Sequence, residues 1–110
     1  MRKQLAQSRP TDTNAASVLT GSQWEVDLIV ICNVGSDTAG ASLYHDADGS
    51  TYDESTAILF NASIDAGTVV HYEPEEPIAN ANVSGNLAVK SGTASGLTFT
   101  VYGKIYGDRV

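Results

Sequence analysis

With 110 residues and a formal net charge of −7, the chain has the size of one domain and can bury roughly two thirds of the surface that its unfolded form exposes. A single cysteine, Cys32, excludes a disulfide within the chain and a cysteine-based zinc site. The acidic balance argues against a nucleic-acid partner, and no stretch approaches the ~20 apolar residues of a membrane span.

The beginning of the chain is basic and the rest is acidic. Arg2, Lys3 and Arg9 lie in the first nine residues with no acid among them, which gives +3; the remaining three basic and 13 acidic residues give −10. We expect residues 1–13 to form an extended N-terminal arm that is either solvated or lies on an acidic neighbour such as another copy of the chain. Residues 14–110 would form a β-sandwich that stays folded without Met1 to Arg9. The stretch "MRKQLAQSRP" lacks the apolar core of a signal peptide, so synthesis in the cytoplasm is expected.

Turn-forming residues recur about every eight to twelve positions, and the pieces between them are rich in Val, Ile, Thr and Tyr. This pattern predicts an all-β chain with strands near 14–20, 23–33, 39–45, 56–63, 67–73, 85–91 and 96–106. Pro74 and Pro77 indicate a surface excursion before the sixth of these strands. The spacing is typical of a single antiparallel β-sandwich or jelly roll of about seven to eight strands.

The second strand shows a face that should point into the core, made by Trp24, Val26, Leu28, Val30 and Cys32. Because Ile29 and Ile31 are also apolar, we expect this strand to end buried on both sides, with Cys32 an inert buried thiol.

The last strand alternates more strictly. Its predicted core residues are Leu97, Phe99, Val101 and Ile105, and its opposite side, the Thr/Tyr face, consists of Thr98, Thr100, Tyr102, Lys104 and Tyr106. Exposed tyrosines stack on sugars or pack in protein interfaces. The side chains of this face are expected to form a flat ladder and not a concave pocket, which favours a protein interface over sugar binding. We therefore predict that the Thr/Tyr face and the basic residues Arg2, Lys3 and Arg9 make protein contacts.

The stretch "HDADGSTYDE", residues 45–54, has the composition of a calcium-binding loop. An EF-hand needs oxygen ligands at positions 1, 3 and 5, glycine at 6 and glutamate at 12. With Gly49 at position 6, Tyr44 and Ser55 stand at the two ends, and starting at Asp46 leaves Thr51 where the glycine belongs. Asp-Gly between two β-rich pieces instead predicts a hairpin turn, with a weak cation site between Asp46 and Glu54 left open.

No set of residues with catalytic spacing is found in the sequence. His45 and His71 are the two histidines, and a surface polar cluster is favoured over a metal site for them. No serine stands in a nucleophile elbow, and the glycines of "GTASG" do not open a helix that would hold a phosphate. We therefore expect no enzyme activity, no catalytic residue, no cofactor and no metal site.

Three motifs in order resemble a family of small proteins encoded by tailed bacteriophages, especially marine ones. They are the "ICN" triplet at residues 31–33, the aspartate-rich "HDADGSTYD" hairpin at 45–53, and the closing pair "GNLAVKSGTASGLTFTVYG" at 85–103. The resemblance covers most of residues 8–103. In this chain the connection "LTGSQWEV" is shorter than the corresponding turn of such proteins, which puts any binding role of that loop in doubt here.

Such proteins are generally virion components, so the resemblance implies a structural role without enzyme activity. The expected role is a homotrimeric decoration or cement protein on the outer surface of the capsid, with the major capsid protein and other copies of itself as partners. The alternative is a tail, baseplate or tail-fibre protein that binds a host carbohydrate as an adhesin, which would need a concave aromatic site.

Overall fold

The computed structural model describes residues 2–46, 51–80 and 84–105. These residues contain nine β-strands and no helix. The strands are β1 (Lys3–Ser8), β2 (Ala16–Thr20), β3 (Trp24–Asn33), β4 (Ala39–Asp46), β5 (Ala57–Ile64), β6 (Val69–Tyr72), β7 (Ile78–Ala79), β8 (Asn86–Ser91) and β9 (Leu97–Ile105).

The strands form two antiparallel sheets that pack face to face. The front sheet has the order β1-β9-β3-β6, with the two-residue β7 also paired to β3, and the back sheet has the order β2-β8-β4-β5. The prediction of an all-β sandwich is confirmed, and each of the seven predicted strands is present. Strands β1 and β7 were not predicted from the sequence.

Alternating side chains of both sheets fill the space between them. The largest fully buried ones are Tyr44, Phe99, Ile29, Ile31, Leu43, Ile64, Leu87, Leu97, Val26, Val89, Val101 and Asn33. All but Tyr44 and Asn33 belong to one apolar cluster between the sheets. The predicted core residues Leu97, Phe99 and Val101 are fully buried, whereas Ile105 is 47% exposed. Ile105 pairs with Trp24 at the very start of β3 and lies beyond the end of β1, so fewer neighbours cover it.

The predicted separation of an arm (1–13) from a sandwich (14–110) does not hold, because Lys3–Ser8 form the edge strand β1. This strand pairs antiparallel with β9 from Lys3 opposite Gly103 to Ser8 opposite Phe99. Leu5 and Ala6 pack against the core cluster. Removal of residues 1–9 would therefore expose the edge of β9 and part of the core, and would not leave an intact sandwich.

A bulge in β3 changes which residues face the core. The register with β9 shifts between Val26 and Leu28, so Asp27 is the extra residue. Trp24 and Val26 face inward before the bulge, and Ile29 and Ile31 do so after it. The expectation of one continuous inner face, with an end buried on both sides, was wrong. Val30 and Cys32 are half-buried on the outer side.

The acidic stretch connects β4 to β5, which pair antiparallel as a hairpin. The connection is longer than a tight turn, since β4 ends at Asp46 and β5 begins at Ala57; the predicted Asp48-Gly49 turn lies outside the described residues. Tyr52 folds back so that its ring centroid lies 6.3 Å from that of Tyr44 on the back sheet. The backbone N–H of Thr51 donates to Asp46 Oδ2 over 2.6 Å, which fixes the start of the returning segment.

Candidate interaction surface

The outer side of the front sheet brings together most of the predicted interaction residues. Thr98, Thr100 and Tyr102 of β9 lie opposite Cys32, Val30 and Leu28 of β3. Residues directly opposite each other in an antiparallel ladder point to the same face. These six side chains therefore form two parallel columns, one of hydroxyl-bearing residues and one of apolar residues.

The two edge strands extend these columns into a broad surface, which we call the outer front face. On one side Gln4 lies opposite Tyr102 and Gln7 opposite Thr100. On the other side β6 places His71 opposite Val30 and Val69 opposite Cys32. The outer front face thus spans four strands.

Neighbouring side chains cover the middle of this face. Thr100 is 8% exposed and Leu28 is 9% exposed, although both lie on the outside of the sheet. Gln7 Nε2 donates to Thr100 Oγ1 over 3.1 Å, which explains why this threonine is more covered than predicted. Tyr102, Val30 and Thr98 are half-buried. The described residues of this face therefore present hydroxyl, amide and aliphatic groups.

Charged groups mark the end of the face where β1 begins. Lys104 is exposed and lies opposite Glu25 across the β9–β3 ladder. Arg2 Nε lies 2.7 Å from Asp27 Oδ1, so the basic start of the chain pairs with the bulge of β3. The geometry is not that of a directed hydrogen bond, so this buried oxygen has the guanidinium charge as its partner. The predicted acidic neighbour of the arm was another molecule, whereas Asp27 belongs to the same chain.

The other two basic residues lie apart from each other. Lys3 is opposite Gly103, near Arg2. Arg9 is at the far end of β1, where its Nε donates to the Ser95 carbonyl oxygen over 2.9 Å. Tyr106, the last predicted interaction residue, lies outside the described residues. The structure thus collects Thr98, Thr100, Tyr102 and Lys104 on one face and distributes Arg2, Lys3 and Arg9 along its β1 edge.

A cleft of about 170 Å³ lies between the β3–β4 and β8–β9 loops, at the Arg9 end of the sandwich. It is lined by Gly35, Ser36, Asp37, Thr93, Ala94, Ser95 and Gly96. No aromatic ring stands among these residues, so the cleft lacks the stacking platform that a sugar site uses.

The histidines and the acidic stretch do not converge on one site. His45 Nε2 contacts Asn80 Oδ1, and Asn80 Nδ2 donates to the Gly21 carbonyl oxygen over 2.9 Å. His71 is exposed on β6 of the other sheet. Asp53 accepts bonds from the Ser55 hydroxyl and backbone N–H, which lower the pKa of Asp53. Within residues 2–46, 51–80 and 84–105 no group of three or more His, Cys, Asp or Glu is arranged to hold a metal ion.

The residues that complete the outer front face were not predicted from the sequence. Gln4 and Gln7 were assigned to an arm, and Leu28 and Val30 to the core side of β3. The available signal was the pair of adjacent apolar residues Leu28 and Ile29 directly after Asp27, which breaks the alternation where the bulge lies.

A comparison with protein-family models and with curated protein sequences finds no match to this chain. In the described part of the chain no helix is long and apolar enough to cross a membrane.

Proposed function

We propose that this protein is a non-enzymatic structural component of a tailed-bacteriophage virion, a decoration or cement protein that binds the outside of the major capsid shell. The observation that carries the proposal is the outer front face, a four-stranded surface of threonine, tyrosine and aliphatic side chains. Such a face suits contact with another protein surface. The resemblance of residues 8–103 to phage virion proteins supplies the class of partner.

The position of the basic residues refines how the protein would attach. Because residues 3–8 belong to the front sheet, they cannot act as a free arm that clamps a neighbouring capsid subunit. Attachment instead uses the outer front face, and self-association uses the sheet edges. A cement protein gains its strength from many modest contacts made at once over the shell.

A tail or fibre adhesin remains the alternative function. It would require a concave site with aromatic side chains. The cleft near Ser95 has no aromatic lining, and Tyr102 lies half-buried in the front sheet. These observations favour the cement role.

The proposal can be tested by adding purified protein back to capsids that lack it. Thr98→Lys places a charge on the outer front face, and Thr20→Lys makes the same change on the exposed side of β2 in the back sheet. We expect Thr98→Lys to reduce capsid occupancy about tenfold or more, because a charge without a partner is poorly tolerated in a contact surface. Thr20→Lys should bind as the wild type does.

Occupancy is measured by sedimenting the particles and quantifying the bound protein, after circular dichroism has shown that both variants are folded. Equal occupancy of the two variants would remove the outer front face from the contact. Failure of the wild-type protein to bind any capsid would remove the cement role itself.

A further inference from the structure

The edge strand β6 differs from the other three edge strands of the two sheets, β1, β2 and β5. The ladders that join β1, β2 and β5 to their neighbours each contain a register shift, whereas the four residue pairs between β6 and β3 run without one. Bulges twist an edge and hinder its pairing with another chain. Val69 and Val70 of β6 are also 47% and 39% exposed. In the described part of the chain, β6 is thus the regular, apolar edge.

Acidic residues flank β6 at both of its ends. Asp65 precedes the strand, and Glu73, Glu75 and Glu76 follow it; all four are exposed. The opposite edge of the same sheet, β1, is flanked by basic residues: Arg2 and Lys3 stand at its beginning and Arg9 after its end. The two edges of the front sheet therefore carry opposite charge.

The directions of the strands make these charges complementary in position. Each neighbour in the order β1-β9-β3-β6 is antiparallel, so β1 and β6 run in opposite directions. If a second copy is placed beside β6 in the same orientation, its β1 runs antiparallel to β6. Its Arg9 then meets the Asp65 end, and its Arg2 and Lys3 meet the end with Glu73, Glu75 and Glu76.

We propose that copies of this chain associate head to tail, with β6 of one copy adding to β1 of the next and continuing the front sheet across the interface. Pairing of β6 with β6 would bring the Asp65 end of one copy to the Glu73 end of the other, so like charges oppose that arrangement. The uninterrupted part of β1, Ala6–Ser8, is about as short as β6, so the flanking charges are needed to fix the register. Such a contact is heterologous and closes into a ring or continues as a filament.

The intramolecular contacts of the basic residues leave room for this role. Arg9 uses Nε for the Ser95 carbonyl oxygen, a neutral acceptor, and Arg2 uses Nε towards Asp27. A guanidinium has five N–H donors, so the terminal nitrogens of both residues can bond to a partner. The inference specifies the self-association within the proposed function, and its test needs no capsid.

The experiment measures self-association of the purified full chain by sedimentation velocity over a range of concentrations at low and high salt. We expect species larger than the monomer, weakened by salt. Asp65→Arg and Arg9→Glu should each raise the dissociation constant about fivefold or more, and the double variant, in which the charges are exchanged, should recover most of the affinity. The matched control Glu54→Arg changes the charge equally in the β4–β5 loop, on neither edge of the front sheet.

A wild-type protein that stays monomeric at every concentration would overturn the inference. So would a double variant no tighter than the single ones, or a loss of association in Glu54→Arg as large as in Asp65→Arg. Association with the predicted charge dependence, together with failure to bind capsids, would support this interface and contradict the cement role.

Discussion

Asn33 is a buried amide that joins three segments at one end of the sandwich. Its Nδ2 donates to the carbonyl oxygens of Asp37 and Ile64 over 2.9 and 2.7 Å, and its Oδ1 accepts from the N–H of Gly35 over 2.9 Å. The side chain is 1% exposed, so these groups have little access to water. Asn33 thus holds the β3–β4 loop against the end of β5.

Replacing this amide tests its structural role. Asn33→Leu would leave the Gly35 N–H and the two carbonyl oxygens without the amide, and we expect the free energy of unfolding to fall by about 2–4 kcal/mol. The matched control Asn14→Leu changes an exposed loop residue and should alter stability by less than about 0.5 kcal/mol. Urea unfolding measures both, and equal stability of the two variants would contradict the role of Asn33.

Asp53 provides a second test at the same scale. The hydrogen bonds from the Ser55 hydroxyl and N–H favour the charged carboxylate and hold the pKa of Asp53 below its ordinary value. Because the folded pKa is the lower one, the stabilising contribution is present above the ordinary pKa of aspartate and is lost as pH falls through the lowered value. The effect on stability is small because Asp53 is exposed.

Ser55→Ala removes the hydroxyl donor, so the pKa of Asp53 should rise towards its ordinary value while the fold is unchanged. An NMR titration of the Asp53 carboxyl carbon in both proteins measures this shift. A pKa that stays where it is in the wild type would show that the hydroxyl is not the cause.

At the scale of single elements, the regular alternation of apolar and polar residues along a strand could be predicted from the sequence, whereas the bulges that interrupt it could not. The strict alternation of β9 predicted Leu97, Phe99 and Val101 in the core and Thr98 and Tyr102 outside, and this is confirmed. In β3 every residue from Leu28 to Cys32 is apolar, so either alternate set of these side chains could face the core. The bulge there arises from pairing with β9, a long-range contact that a local pattern does not contain.

The strand β1 was missed for a related reason. Its residues, KQLAQS, include only Leu5 and Ala6 as apolar side chains, and its basic charge is typical of a solvated chain end. Pairing with the edge of β9 and packing of Leu5 supply the ordering energy that the local sequence lacks. The sequence therefore predicted the outward-facing side chains of β9, but it did not predict that β1, β3 and β6 extend this face to four strands.

Gly103 of β9 lies very close to the backbone of the neighbouring strand β3. A Cβ atom at this position would lie 1.9 Å from the Glu25 carbonyl oxygen and 2.8 Å from the Glu25 carbonyl carbon. We expect Gly103→Ala to lower the free energy of unfolding by about 2–4 kcal/mol, since β9 and β3 must separate locally.

Gly40→Ala is the matched control for this change. Gly40 also lies in a strand, and its nearest contact for a Cβ is the Asn61 Oδ1 side-chain atom at 3.4 Å. This variant should lose less than about 1 kcal/mol in the same denaturant titration. A Gly103→Ala protein as stable as Gly40→Ala would contradict the close approach of β9 and β3.

At the scale of the whole molecule, three surfaces have distinct properties. The outer front face is rich in hydroxyl and aliphatic groups, the β1 and β6 edges carry opposite charge, and Tyr52 packs against Tyr44 of the back sheet. The proposed contact face and the proposed pairing of the two edges would suit a repeated position on a large surface.

The copy number of this protein in purified virions tests the central claim most directly. Quantitative mass spectrometry compares it with the major capsid protein of the same particles. The cement role predicts an abundance comparable with that of the capsid subunit, because every repeated site on the shell would be occupied. A few copies per particle would contradict it and place the protein in the tail or fibre.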